Sequence, residues 1–317
     1  MHGSNQPFLT IMTPTWNRAH LLPRLYASLV RQGVTSSCFE WLIIDDGSTD
    51  RTAEYLASLA PDAPFPLRVI RLENGGKHRA INAGAQHIQG RWAMIVDSDD
   101  YLVEGSLDHF IEFLMIWDSD QSVGMIMSKM RFLNGNHAQT VFPRNVGKIR
   151  YYKRAALTEV IDCTFSFRKE AILLFPYPEV IGEKFMAHGW LPNAMSERFF
   201  SVFYDDVVVC AEYQKDGVSS NPVTIRSKNP VSAMHVYRIM SLYPQTFKRR
   251  LKNNLSFWRY FFHAKWKGKV VSDEDIPKPW PSIYVAPLSW MLASFDKFRR
   301  RPRAVFDQSR SYPHELK

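Results

Sequence analysis

Two kinds of apolar stretch alternate through the first 130 residues, and this alternation is the strongest constraint on the fold. "FLTIMTPTW" (8–16), "FEWLIIDD" (39–46), "PLRVIRLE" (66–73) and "RWAMIVD" (91–97) are short runs with the length and composition of strands. Between the first two, Leu21, Leu22, Leu25, Leu29 and Val30 recur at helical spacing. Ala53 to Leu59 forms a short helix with Ser48, Thr49 or Asp50 as N-cap, and "GKHRAINAGAQHI" supplies another. Strands separated by helices predict an α/β domain, a mainly parallel mixed sheet flanked by helices. Such sheets bind ligands at the carboxyl ends of their strands. Each predicted strand ends in a polar cluster: Thr15, Trp16, Asn17 and Arg18; Asp45 and Asp46; Asn74, Gly75, Gly76 and Lys77; Asp97, Asp99 and Asp100.

The last cluster poses a physical problem, because "AMIV" runs straight into "DSDD". While a strand persists, Asp97 and Asp99 lie on one side of it. Carboxylates that close repel unless a cation or hydrogen-bond donors separate them. Mg²⁺ or Mn²⁺ takes one or two carboxylates and completes its shell with phosphate oxygens and water, so the strand end suits a metal–diphosphate complex. A DxD triplet alone is equally a solvated turn or helix cap; the matching clusters on the neighbouring strands favour a site.

In order and spacing, "TPTWNR", "FEWLIIDDGSTDRT", "NGGKHRAINAG" and "VDSDD" resemble the family 2 glycosyltransferases of GT-A fold, of the bacterial surface-polysaccharide type. The resemblance covers about the first 100 residues. It implies a Rossmann-like nucleotide-diphospho-sugar transferase fold and an inverting, metal-dependent transfer of a sugar, with UDP the usual carrier. Carried over by position, Pro14, Thr15, Trp16 and Asn17 border the nucleotide and Asp46 accepts from the base edge. Gly76 and Lys77 approach the donor phosphates or sugar, with Arg79 as an alternative positive charge. Asp97 and Ser98 contact the donor, Asp99 holds the metal with Asp97 as a shared ligand, and Asp100 is a second contact or a cap. The general base is expected in "VIGEKFMAHGW": Glu183 fits, the alternative being a surface or N-terminal helix charge, while His188 stands where a related subgroup, matched through "GEKF" and "CAEYQKDGVS", carries an acid, and is read as a substitute base, an acceptor contact or a structural histidine.

Beyond "GSLDHFIEFLMIW", a helix, and "SVGMIMSKMRF", a strand, the pattern becomes irregular through residue 225, with short strands such as "IDCTFSFRK". The C-terminal third reads as helical, broken at Pro244 and at "PKPWP". Residues 1–225 are therefore read as the catalytic domain, 1–130 for the nucleotide sugar and 131–225 for the acceptor, and 226–317 as a helical extension. From Arg226 onward there are 19 Lys and Arg against 6 Asp and Glu, a net of +13, whereas residues 1–225 have 21 against 25. In the extension Phe247, Leu251, Leu255, Trp258 and Phe262 share one helical face beside Lys248, Arg249, Arg250 and Lys252. Leu288, Met291, Leu292, Phe295 and Phe298 share another, followed by Arg299, Arg300, Arg301 and Arg303. Apolar faces flanked by basic residues are the composition of helices at an anionic membrane surface; the same faces could instead pack on the catalytic domain.

Three dispersed cysteines, with no CxxC, suit a reducing cytoplasm. "MHGSNQPFLT" lacks the pattern of a signal peptide, and no run of about 18 apolar residues is present. The expectation is a cytoplasmic enzyme, peripheral at the inner face of the cell membrane, that passes a sugar to a glycan or polyprenyl-linked acceptor. A nucleotidyltransferase is the alternative enzyme, but its glycine-rich first loop is absent from "TPTWNRAH". A nucleic-acid-binding protein would explain the basic tail, yet no zinc-ligand spacing or RNP-like sequence supports one and no nucleic-acid partner is expected.

Overall fold

The structure is a computed structural model that describes residues 6–33, 38–59, 61–133, 142, 147–156, 163–212, 221–272, 276 and 278–298. The first half alternates as the apolar pattern requires: β1 (Leu9–Thr15), α1 (Leu22–Val30), β2 (Phe39–Asp45), α2 (Thr52–Leu59), β3 (Leu67–Arg71), α3 (Lys77–Ala85) and β4 (Trp92–Ile95). There follow β5 (Tyr101–Leu102), α4 (Ser106–Asp118), β6 (Val123–Phe132), β7 (Cys163–Arg168), α5 (Lys169–Leu174), α6 (Trp190–Met195) and β8 (Phe200–Ala211). The C-terminal helices are α7 (Pro222–Lys228), α8 (Pro230–Ser241), α9 (Phe247–Trp266) and α10 (Ala286–Phe298). α8 ends at Ser241 and α9 begins at Phe247, so the helices break near Pro244 as expected; of the second expected break, residues 278–281 lie outside α9 and α10, and Pro277 lies outside the described residues.

All eight strands form one sheet in the order β3-β2-β1-β4-β7-β6-β8-β5. β1 pairs in parallel with β2 on one side and β4 on the other, and β3 continues in parallel beyond β2. β7 is antiparallel to both β4 and β6, so the sheet is mixed. The chain moves outward from β1 to β3 and returns across β1 to place β4. The switch point, where a crevice opens at the strand ends, therefore lies between β1 and β4.

Period-two alternation divides the core. Leu9, Ile11, Trp41 and Ile43 face α1, α2 and α4 and pack with Leu25, Leu56 and Phe110. Met12, Leu42 and Ile44 face the other layer, with Ile81 of α3, Ala171 of α5 and Leu191 of α6. Burial on both faces explains why β1 and β2 read as nearly continuous apolar runs. Glu40, fully buried in β2, is held by Thr10 Oγ1 at 2.6 Å, the Gln89 amide at 2.9 Å and the Arg68 guanidinium at 2.6 Å.

α8 packs into the second core of the sheet. Its Val236 joins the core under α3, α5 and α6, and Tyr243 beyond it donates to the Asn193 carbonyl at 2.7 Å. On its other side Val231 and Met234 pack with Phe257, Trp258 and Tyr260 of α9, forming a third core. Of the α9 apolar face expected to meet a membrane, Trp258 is buried, Leu255 and Phe262 are half-buried, and Phe247 and Leu251 in its first turns are exposed, so the face turns inward along the helix. Phe298's side chain, Arg299, Arg300, Arg301 and Arg303, with most of "CAEYQKDGVS", lie outside the described residues.

Candidate active site

At the switch point β4 ends at Ile95, two residues earlier than the apolar run suggests, and the chain folds into a reverse turn in which the Asp100 amide donates to the Asp97 carbonyl at 3.0 Å. The turn, not strand alternation, brings the acids together. It also recruits the third, so that one carboxylate oxygen each from Asp97, Asp99 and Asp100 lies within 4.8 Å of the others. Asp100 caps no helix, because β5 begins at the next residue.

The electrostatics of the turn follow from crowding. Burial and the neighbouring Asp97 push the Asp99 carboxyl up. Burial, Asp97 and Asp99 together push Asp100 to about 8. Asp97 goes the other way: burial raises it, but Lys77 and His188 more than offset this and hold it below the usual carboxylate range. Its partner is the Lys77 ammonium, at the first position of α3. Lys77 Nζ also lies 3.2 Å from His188 Nε2. The adjacent ammonium, then burial, lowers the His188 imidazole to about 4, so the ring is neutral at pH 7 with Nε2 as acceptor.

Arg24 of α1, which sequence reasoning missed, clamps the turn. Its guanidinium donates to the Asp99 carbonyl at 2.6 Å and to Glu212 at 2.5 Å, and lies 4.7 Å above the Tyr101 ring. Nothing in "LLPRLYASLV" marks this arginine, because its partners lie 75 and 188 residues away. Arg79 is not a second charge for the turn, since its Nε donates to Glu179 at 2.9 Å.

The other expected residues separate into those that face the crevice and those that build it. Trp16 is half exposed beyond β1, while Pro14 and Thr15 are buried and the Thr15 hydroxyl has no hydrogen-bond partner among the described residues. Asn17 adopts positive φ and ties the β1 loop to the next one: its Oδ1 accepts from the Thr49 amide at 2.8 Å and its own amide donates to Ser48 Oγ at 2.9 Å. Asp46 does not present a free carboxylate to a base edge. It is buried, and its two oxygens accept from the Gly75 and Gly76 amides, each at 2.8 Å, and from Asn74 Nδ2 at 3.1 Å. Asp46 thus shapes the glycine loop, in which Gly76 has φ 97° and any Cβ would strike the Lys184 backbone. Ser98 is buried within the acidic turn.

Glu183 differs most from expectation. Its side chain is buried and turned to the N-terminus of α8, accepting from the Val231 amide at 3.1 Å and the Ser232 amide at 2.7 Å, with Lys269 Nζ at 2.7 Å. Orphan amides and the positive end of the helix hold it there. Glu183 is a helix-capping carboxylate, and His188 is the member of "GEKFMAH" that reaches the acidic turn.

Three acids at the switch point, Lys77 at the start of α3 and the exposed Trp16 thus stand at the carboxyl ends of the parallel strands. The family described as Glycosyl transferase family 2 matches residues 10–173. A PGL/p-HBAD biosynthesis glycosyltransferase of Mycobacterium bovis is 35% identical over 213 residues, covering 61% of this chain and 82% of that protein. The poly(ribitol-phosphate) beta-N-acetylglucosaminyltransferase TarS of Staphylococcus aureus is 26% identical over 126 residues; the match covers 40% of this chain and only 21% of TarS. Among solved structures, residues 1–349 of TarS in complex with UDP-GlcNAc superpose with a TM-score of 0.56 at 18% identity, covering 91% of this chain and 80% of that one. The mannosyltransferase PcManGT of Pyrobaculum calidifontis, in complex with GDP-Man and Mn²⁺, gives 0.56 at 16% identity, covering 94% and 88%. The fold is GT-A, and the chain belongs to the family 2 glycosyltransferases.

Proposed function

We propose that the chain is an inverting glycosyltransferase that moves a sugar from a UDP-sugar, with Mn²⁺ or Mg²⁺, to a glycan or polyprenyl-linked acceptor in cell-surface polysaccharide or glycolipid assembly. The observation that carries this is the convergence of Asp97, Asp99 and Asp100 within 4.8 Å at the switch point. Crowding that pushes Asp99 and Asp100 up is what a divalent cation would relieve, so the donor set fits a hard metal. Asp99 would hold it with Asp97, and Asp100 within reach. When bound, the ion supplies charge neutralisation for the departing diphosphate.

The chain's own residues divide the remaining work. Trp16 offers an exposed ring face to the nucleotide base, and Lys77 is placed to exchange Asp97 for a donor phosphate oxygen. His188 would take the proton from the acceptor hydroxyl once Lys77, which now occupies its Nε2 at 3.2 Å, turns to the donor phosphate: that frees the lone pair and removes the main cause of the ring's lowered pKa. UDP as carrier rests on the family and on the UDP-GlcNAc complex of a neighbour. With a lipid-linked acceptor the enzyme works peripherally at the inner face of the cell membrane; no described helix is long and apolar enough to cross one.

Thermal unfolding with UDP, with and without Mn²⁺, tests the site. UDP should stabilise the wild type only with the metal, and Asp99→Ala should lose that response while staying folded. His188→Gln should keep the response and lose transfer. A protein that no nucleotide diphosphate stabilises with metal, or an Asp99→Ala variant that responds like the wild type, would overturn the proposal.

A further inference from the structure

α10 is packed the wrong way round for a helix that ends in water. It meets α9 through its small residues, Ser289 and Ala293, both fully buried, and through Asp296, whose carboxylate receives Arg259 Nε at 2.6 Å and faces His263 Nε2 at 2.9 Å. On the outward side of the helix stand the large side chains: Leu288 is 51%, Met291 56% and Phe295 69% exposed, and they follow one another at i, i+3 and i+7. Trp290 at 51% and Leu292 at 36% flank the stripe, and Tyr284, just before the helix, is 93% exposed. A surface helix normally turns its small or polar side outward, and a contiguous patch of this kind marks a surface that something covers.

We propose that this face of α10 is a docking surface for an anionic lipid bilayer, with the helix lying in the headgroup plane. Charge selects the occupant. Over α9 and α10 the sequence carries seven Lys and Arg against one acid, Asp296, which is spent on Arg259 and His263. Lys297 lies 3.9 Å above the Trp266 ring of α9 at the end of the helix, and three arginines follow the helix in the sequence. A second copy would set these like charges against each other, whereas an anionic headgroup layer complements them and accepts the apolar stripe beneath. Trp290 and Tyr284 have the amphipathic rings that settle at that boundary. The inference rests on the peripheral location proposed above and deepens it by naming the face that makes contact, narrowing the two basic helices expected from the sequence to α10.

The test is flotation of the full chain with vesicles of phosphatidylcholine and phosphatidylglycerol, 3:1 (about 25% anionic lipid), beside vesicles of phosphatidylcholine alone. The wild type should float with the anionic vesicles and far less with the neutral ones. Leu288→Glu, Met291→Glu and Phe295→Glu together should lower the partition coefficient at least about a hundredfold, since each large apolar contact is worth about an order of magnitude. These side chains are solvent-facing, so the triple variant should melt with the wild type and keep its UDP and Mn²⁺ response. Loss of that response in both proteins would count against the donor site and leave the docking face standing. A wild type that stays with the soluble fraction, equal flotation with neutral vesicles, or a triple variant that floats like the wild type would overturn the proposal. So would a self-association seen in sedimentation that the triple variant abolishes while neither protein binds vesicles.

Discussion

Replacing Glu183 separates a catalytic carboxylate from a structural one. In the fold its two oxygens accept from the Val231 and Ser232 amides at the start of α8 and meet Lys269. Glu183→Ala leaves two buried amides without acceptors and removes a negative charge from a helix N-terminus. Hydrogen bonds to an ionised group are worth about 1.5–3 kcal/mol each, and removing one member of a buried pair costs about 3–5 kcal/mol. Lys269 is partly exposed and can turn to water, so its loss adds little. The expected destabilisation is therefore about 3–5 kcal/mol. For a chain of this length that lowers Tm by about 5–8 °C, because the unfolding entropy grows with residue number.

Glu183→Gln keeps the shape and one acceptor oxygen but no charge, and should lose roughly half as much. Thermal unfolding gives the stabilities; release of UDP from the donor, measured well below both transitions, gives turnover. A general base behaves differently, with Gln abolishing about 10²- to 10⁴-fold of rate at unchanged Tm. If both variants melt within about 1 °C of the wild type and turnover collapses, the capping assignment is refuted and the carboxylate belongs to the chemistry.

Three further outcomes are expected. Gly76→Ala forces a Cβ into a residue at φ 97° facing the Lys184 backbone; it should cost about 2–3 kcal/mol and weaken UDP binding, as calorimetry would show. Glu40→Ala should cost a similar 3–5 kcal/mol, read by urea unfolding, yet leave the UDP response of the folded protein intact, because Thr10, Gln89 and Arg68 lie at the opposite end of the strands. His78 is buried with neither ring nitrogen partnered among the described residues, and burial lowers its pKa below the ordinary 6.5. The unfolded chain then binds the proton more readily, so this contribution is present above about pH 6.5 and lost as pH falls below it; His78→Leu should flatten the decline in stability between about pH 7.5 and pH 5.5.

Periodicity and strand-end chemistry were legible because they are local. The alternation of β1 to β4 with α1 to α3, and the polar residues at their ends, follow from side chains within a few positions of one another. What escaped was set by partners distant in the chain. Asp46 reads as a ligand-facing acid until the Asn74–Gly76 loop is placed on both its oxygens. Asp99 gains its clamp from Arg24, and Glu183 loses its freedom to a helix start almost fifty residues away. β8, a strand of 12 residues inside the sheet, was hidden because "FSVFYDDVVVCA" carries two acids at its centre, where Asp205 and Asp206 are exposed.

The stretch from Glu183 to His188 has its own physical logic. At one end Glu183 is fixed by α8, and the Lys184 amide donates to Asn229 Oδ1 at 2.9 Å. Between the ends, the Lys184 ammonium reaches Asn74 Oδ1 at 2.7 Å and its carbonyl fills the space that a Cβ on Gly76 would need. At the other end His188 meets Lys77. Six residues thus connect the N-terminus of α8 to the glycine loop and to the acidic turn. A carboxylate used as a cap cannot also collect a proton in the crevice. In the proposed mechanism Glu183 and His188 therefore have complementary tasks: the buried acid anchors the strap that holds position 188 against Lys77, and the imidazole is the group it presents.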